Sequence, residues 1–100
     1  MFGLKENNIA EIKTILMQFP EVKSAKIFGS RAKGNYKNGS DIDIALFGEN
    51  MSTTIAWKIS GILNEETIMP YHFDILSYKN LKNNDLVSHI DRVGLGFYES

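Results

Sequence analysis

Apolar residues recur at helical spacing from Ile9 to Phe19: Ile9, Ile12, Ile15, Leu16 and Phe19 fall on one stripe. Asn8, with Glu11 three residues later, imitates a capping box, and Pro20 ends the segment. The period then changes. Ala25-Lys26-Ile27-Phe28 reads as a short strand that runs into Gly29-Ser30, where small residues let the chain turn sharply. Gly34, Asn35, Asn38, Gly39 and Ser40 then crowd residues 31–40 with turn formers, which permits at most one helical turn and a return loop.

The next stretch, Asp41 to Phe47, begins in strict alternation, so Ile42 and Ile44 face one side of a strand and Asp41 and Asp43 the other. Ser52 or Thr53 can cap a helix with the stripe Ile55, Ile59, Ile62 and Leu63; Gly61 weakens it and Pro70 lies beyond it. Tyr71 to Leu76 reads as a third strand, with Phe73 and Ile75 on one face and His72, Asp74 and Leu76 on the other. A last helix around Asp85 to Val93 carries Leu86, Ile90 and Val93 and ends at Gly94. No repeat or linker divides the chain, so the pattern predicts one mixed α/β domain over residues 1–100.

Composition narrows what such a domain can do. A chain of 100 residues buries only about two-thirds of its unfolded surface, enough for one core and no separate substrate domain. The formal charge of −1 supplies no basic field, so direct nucleic-acid binding is not expected. Without cysteine there is no disulfide, thiolate catalyst or cysteine-held metal, and two histidines make a histidine-dominated zinc site unexpected. Any metal must be oxygen-bound. No apolar run approaches the ~20 residues that cross a bilayer, and the start lacks the apolar core of a signal peptide, so no membrane partner and a cytoplasmic location are expected.

Candidate chemistry lies in Gly29-Ser30, ten residues, Asp41-Ile42-Asp43, and Asp74 in the later strand. Aspartate is depleted in strands, and like charges two apart on one face repel unless something positive lies between them. Carboxylates suit Mg2+ or Mn2+, and Mg2+ takes one or two of them together with waters and substrate phosphates. Asp41 and Asp43, ~6.5 Å apart along a strand, could hold such ions with Asp74 as a third carboxylate. Gly29 and Ser30 offer backbone amides and a hydroxyl to a phosphate, and Arg31 and Lys33 offer cations. The same charges, with Lys37, also read as solvated loop residues.

The stretches Ile27-Phe28-Gly29-Ser30-Arg31-Ala32-Lys33-Gly34 and Ser40-Asp41-Ile42-Asp43-Ile44-Ala45-Leu46 closely resemble the minimal nucleotidyltransferase (MNT) family of the DNA polymerase beta superfamily. The resemblance covers nearly the whole chain, to a close at Gly94-Leu95-Gly96-Phe97-Tyr98. It implies a nucleotidyltransferase fold: a mixed sheet with helices packed on one face and the aspartate face open. By the same resemblance Asp41, Asp43 and Asp74 are the catalytic carboxylates and metal ligands, with Asp74 a ligand or a base. Gly29, Ser30 and Arg31 bind the phosphates. Two Mg2+ ions and ATP are implied as cofactor and substrate.

Members of that family are commonly encoded beside a helical HEPN ribonuclease toxin and serve as its antitoxin, transferring AMP from ATP to a tyrosine of the toxin. A partner of this kind is therefore implied. Two other functions are weighed: a binding module that neutralises its partner by occlusion, and a nucleotidyltransferase subunit acting on a small molecule such as an antibiotic. Other residues carry plainer readings. His72 and His89 are half-buried polar fillers, with His72 a possible neighbour of the metal site. Tyr36 is an exposed loop aromatic that could stack on a base, and Trp57 covers the core edge or faces a partner.

Overall fold

The computed structural model describes all of residues 1–100. Helix α1 (Glu6–Met17) is followed by β1 (Ser24–Phe28), the single-turn helix α2 (Gly29–Lys33), β2 (Ile42–Phe47) and α3 (Thr53–Gly61). A π-helical turn (Ile62–Glu66) leads to β3 (Phe73–Ser77), a 3-10 turn (Tyr78–Asn80), α4 (Asn84–Val93) and β4 (Leu95–Glu99). The four strands form one sheet in the order β3-β2-β1-β4. Strand β1 runs antiparallel to both its neighbours, and β2 runs parallel to β3. The family-level expectation of a mixed sheet with helices is met.

Alternation along the strands decides which face each helix covers. Ala25 and Ile27, Ile42, Ile44 and Leu46, and Phe73 and Ile75 point to one side, where α1 brings Ile12 and Leu16 and α3 brings Ala56 and Ile59. Each fully buried Ile or Leu of this layer is worth about 1.5–3 kcal/mol of transfer free energy. The opposite face is not left wholly open. There Phe28 and Ala45 pack against Ile90 of α4, flanked by Leu76, Leu86 and Val93. The helices of one face are thus α1 and α3, whereas α4 covers the apolar half of the aspartate face, which would otherwise expose Phe28 and Ala45 to water.

Two local readings change. Helix α1 starts at Glu6 and its N-cap Lys5 makes no side-chain cap, so the Asn8 and Glu11 pair lies inside the helix. Leu4 and Ile9, both buried in the main core, stand at N′ and N4, the spacing of a hydrophobic staple. The strand β4 is not legible from alternation: Gly96 interrupts it, and the pairing register shifts between Ala25 and Lys26. Elsewhere the boundaries hold closely, and Ser52 is the cap of α3, accepting from the Ile55 amide at 3.2 Å.

Candidate active site

The register of the sheet brings the candidate residues together. Asp43 pairs with Asp74 across the parallel β2–β3 ladder and with Phe28 across the antiparallel β1–β2 ladder. Because both aspartates belong to the alternation opposite Ile42, Ile44, Phe73 and Ile75, they share the face that α4 half covers. Phe28 is also the residue before the Gly29-Ser30 turn, so the same register sets that turn beside Asp43.

Gly29 has φ +71°, the left-handed region where a side chain is strained, and an added β-carbon there would collide with Asp43 Oδ2. From this bend α2 begins at once, and its first-turn amides, those of Gly29, Ser30 and Arg31, have no helical carbonyl to bind. Ser30 is half-buried at this end. One turn later Gly34, at φ 84°, closes the helix by donating its amide to Ser30 O at 2.9 Å.

Electrostatics set Asp43 apart. Burial holds its carboxyl above the ordinary value of 3.8; Asp74 and then Asp41 push it up further, while His89 and His72 pull it down. Asp74 and Asp41 are exposed. Asp41 stands immediately before β2, with its Oδ2 3.8 Å from Nδ1 of His72. His72 thus stands beside Asp41, but it is exposed rather than the half-buried filler expected of it.

His89 of α4 is a residue whose position the sequence does not reveal. It packs edge-on against Phe28 with ring centroids 6.1 Å apart and faces Asp43 from the helix side. Asn64 also escapes the sequence reading. Its side-chain Oδ1 accepts from the Phe73 amide at 2.7 Å and its Nδ2 donates to Phe73 O at 3.0 Å, one residue before Asp74. Neither residue belongs to a motif, and only tertiary packing brings them in.

Arg31 is the correction. It is 3% exposed, turned into the protein, and its guanidinium donates to the carbonyl oxygens of Ser40 and Phe2. A side chain so placed does not reach for a triphosphate. Burial of the stem under the loop, together with backbone acceptors on two sides, outcompetes solvent. Lys33, by contrast, is exposed at the end of α2.

The donor set suits a hard divalent cation in its chemistry: every candidate ligand is a carboxylate oxygen, and the mutual repulsion that raises Asp43 is what a cation relieves. No three histidine, aspartate or glutamate side chains are gathered into a ready cage. Mg2+, which takes one or two carboxylates and completes its shell with water and phosphate, does not require one. A cavity of about 420 Å3 is lined by Arg31, Tyr36, Gly39 and Tyr71 and by none of the aspartates.

A glycine-serine bend at the head of a short helix, facing paired aspartates on adjacent strands, defines a nucleotidyltransferase. The family described as polymerase beta, nucleotidyltransferase, matches residues 10–100, and the chain belongs to it. Among individual relatives it is 32% identical over 75 residues to the probable protein adenylyltransferase MntA of Haemophilus influenzae, an alignment that covers 75% of this chain and 66%, just under two-thirds, of that protein. Among solved structures it superposes on a chain of a toxin–antitoxin with AMP-PNP at a TM-score of 0.74, with 20% identity, over 97% of this chain and 75% of that one. The toxin–antitoxin MntA-HepT gives 0.72, with 17% identity, over 96% and 74%. At these identities the structural matches establish the fold. No helix is long and apolar enough to cross a membrane.

Proposed function

We propose that this chain is a Mg2+-dependent adenylyltransferase that moves AMP from ATP to a tyrosine hydroxyl of a HEPN-type ribonuclease toxin and so acts in the cytoplasm as its antitoxin. The observation that carries this reading is the register that sets Asp43 opposite Asp74 and beside the Gly29-Ser30 bend. The likeness to a protein named as an adenylyltransferase, and to a toxin–antitoxin assembly crystallised with an ATP analogue, supports the choice of nucleotide and partner.

In this reading Asp41 and Asp43 hold Mg2+, with Asp74 completing the site or serving as base. Mg2+ bound there neutralises phosphate charge and lowers the pKa of the attacking hydroxyl. The amides of the Gly29-Ser30 bend and the Ser30 hydroxyl orient the phosphates. The tyrosine oxygen attacks the α-phosphorus, the bond from that phosphorus to the pyrophosphate oxygen breaks, and the hydroxyl proton passes to a carboxylate, Asp74 in this reading. Because Asp43 is partly shielded and Asp74 exposed, the acceptor approaches from the β3 side.

A second reading, neutralisation by occlusion, draws on Trp57, which is 79% exposed on α3. One experiment separates the two. The wild type and the Asp41→Asn/Asp43→Asn variant are each incubated with α-32P-ATP, Mg2+ and a HEPN-type toxin. Label on the toxin with wild type alone, and loss of neutralisation in the variant, supports transfer. Full neutralisation by the variant, with no label in either case, overturns it, and label on a small acceptor instead would redirect the reading to small-molecule transfer.

A further inference from the structure

Arg31 is the one charged side chain buried in this protein, at 3% exposure, and it has no carboxylate partner: the only close ion pair is His72 with Asp41. A buried guanidinium is costly unless its donors are met. Here Nε and Nη2 both donate to the Ser40 carbonyl, at 3.1 and 2.9 Å, and Nη1 donates to the Phe2 carbonyl at 2.9 Å. The rings of Tyr36 and Tyr71 lie 5.2 and 5.0 Å from the guanidinium carbon.

Two of the three hydrogen bonds fall on the backbone that adjoins one candidate ligand. The Ser40 carbonyl belongs to the same peptide plane as the Asp41 amide, so a two-point grip on that oxygen fixes the plane from which Asp41 departs. On the other flank the Ile42 amide donates to His72 O at 2.9 Å, and Tyr71, which stacks on Arg31, directly precedes His72. The turn itself is closed by Ser40 N to Lys37 O at 3.0 Å and Lys37 N to Ser40 Oγ at 2.8 Å. Asp41 is exposed and lies outside the β2 ladder, so its placement depends on this scaffold rather than on the sheet.

We infer that Arg31 is a positioning residue: its forked hydrogen bonds to the Ser40 carbonyl set where the Asp41 carboxylate stands relative to Asp43 and Asp74. This rests on the functional reading above, in which Asp41 holds Mg2+. Lysine preserves the charge but not the fork, so Arg31→Lys tests geometry rather than charge.

Three readouts apply to Arg31→Lys. Amide hydrogen exchange at Ser40 and Ile42, whose amides donate to Lys37 O and His72 O on either side of Asp41, speeds up while the amides of β1 keep their protection. The Mg2+ concentration for half-maximal AMP transfer rises about tenfold, the size of effect seen when support for a metal ligand is lost, while the KM for ATP at saturating Mg2+ changes less than about twofold. In an Asp41→Asn background the same substitution adds nothing. A cost as large in that background, an equal rise in the ATP and Mg2+ requirements, or an unchanged Mg2+ requirement each overturns the inference.

Should Arg31→Lys fail to fold, Gly39→Ala strains the same turn without touching Arg31, because Gly39 has φ +81° and an added β-carbon meets nothing within 4 Å. It should show the same selective rise in Mg2+ requirement, and no rise would overturn the role of the loop. Should the wild-type chain transfer no AMP, the functional reading fails on its own. Mn2+ affinity measured by electron paramagnetic resonance then carries the comparison. Weaker binding with Arg31→Lys only when Asp41 is present supports the inference, and equal affinity overturns it.

Discussion

The carboxylate of Asp43 occupies the space that a side chain at position 29 would need. A β-carbon on Gly29 would collide with Asp43 Oδ2 and stand 3.2 Å from its Cγ. The glycine-serine bend and the aspartate strand are therefore one mechanical unit, since neither can shift without the other. Gly29→Ala combines this collision with about 1–2 kcal/mol of strain at positive φ. We expect a folded protein of lower Tm whose AMP transfer falls at least about 100-fold, the cost of displacing a catalytic group by about 1 Å. Thermal melts and label transfer from α-32P-ATP, read side by side, check it. Wild-type transfer would show that the bend does not position Asp43.

The raised pKa of Asp43 fixes a sign for stability against pH in metal-free buffer. A carboxyl that is harder to ionise folded than unfolded binds more protons in the native state, so its contribution is greatest below the ordinary value of 3.8 and is lost as pH rises through the folded value. Asp43→Asn removes that loss. The variant should melt above wild type at pH 7 without metal, with the gap closing as pH falls towards 3.8. Millimolar Mg2+ should stabilise the wild type, by linkage, and leave the variant unmoved. Calorimetry over a pH series, with and without Mg2+, is the measurement, and a variant that melts below wild type at pH 7 would contradict the repulsion argument.

Much of this was legible in the chain itself. The alternation of Asp41 to Ile44 and of Tyr71 to Leu76 assigned the aspartates to one face, because a half-buried strand enforces a period of two. What alternation does not carry is register, and the opposition of Asp43 to Asp74 came only with the pairing of β2 and β3. Arg31 misled for a related reason: an arginine beside a phosphate-binding bend has the right charge, but the direction of its side chain is set by a loop nine residues on, whose Ser40 carbonyl captures it. His89 and Asn64 lay beyond reach because helix α4 and the π-helical turn place them by packing, without a motif.

With Arg31 committed inside the fold, Lys33 is the cation of α2 that remains exposed to solvent. A flexible ammonium there acts on a triphosphate as a point charge rather than as a fork. Lys33→Ala should raise the KM for ATP several-fold and flatten its salt dependence, with kcat reduced less than KM is raised. Steady-state kinetics at two ionic strengths test this. Loss confined to kcat would place the side chain at the reacting centre instead.

Asn64 stands in for a missing strand. Phe73 belongs to β3, one of the two edge strands of the sheet, and both its amide and its carbonyl are met by the one side-chain amide of Asn64, which also donates to Ser60 Oγ at 3.1 Å. Asn64→Leu leaves the Phe73 groups without partners beneath the π-helical turn, at a cost of about 1–3 kcal/mol. Asn64→Asp is the sharper test. Its carboxylate can still accept from the Phe73 amide but faces the Phe73 carbonyl with no proton to donate, so the variant should be less stable than wild type at pH 7 and recover as the carboxyl is protonated in acid. Asp74 follows Phe73 directly, so both variants should also lower kcat well below their melting temperatures, where global unfolding contributes nothing. Stability lost with kcat intact would mean that β3 holds Asp74 in place without this bond.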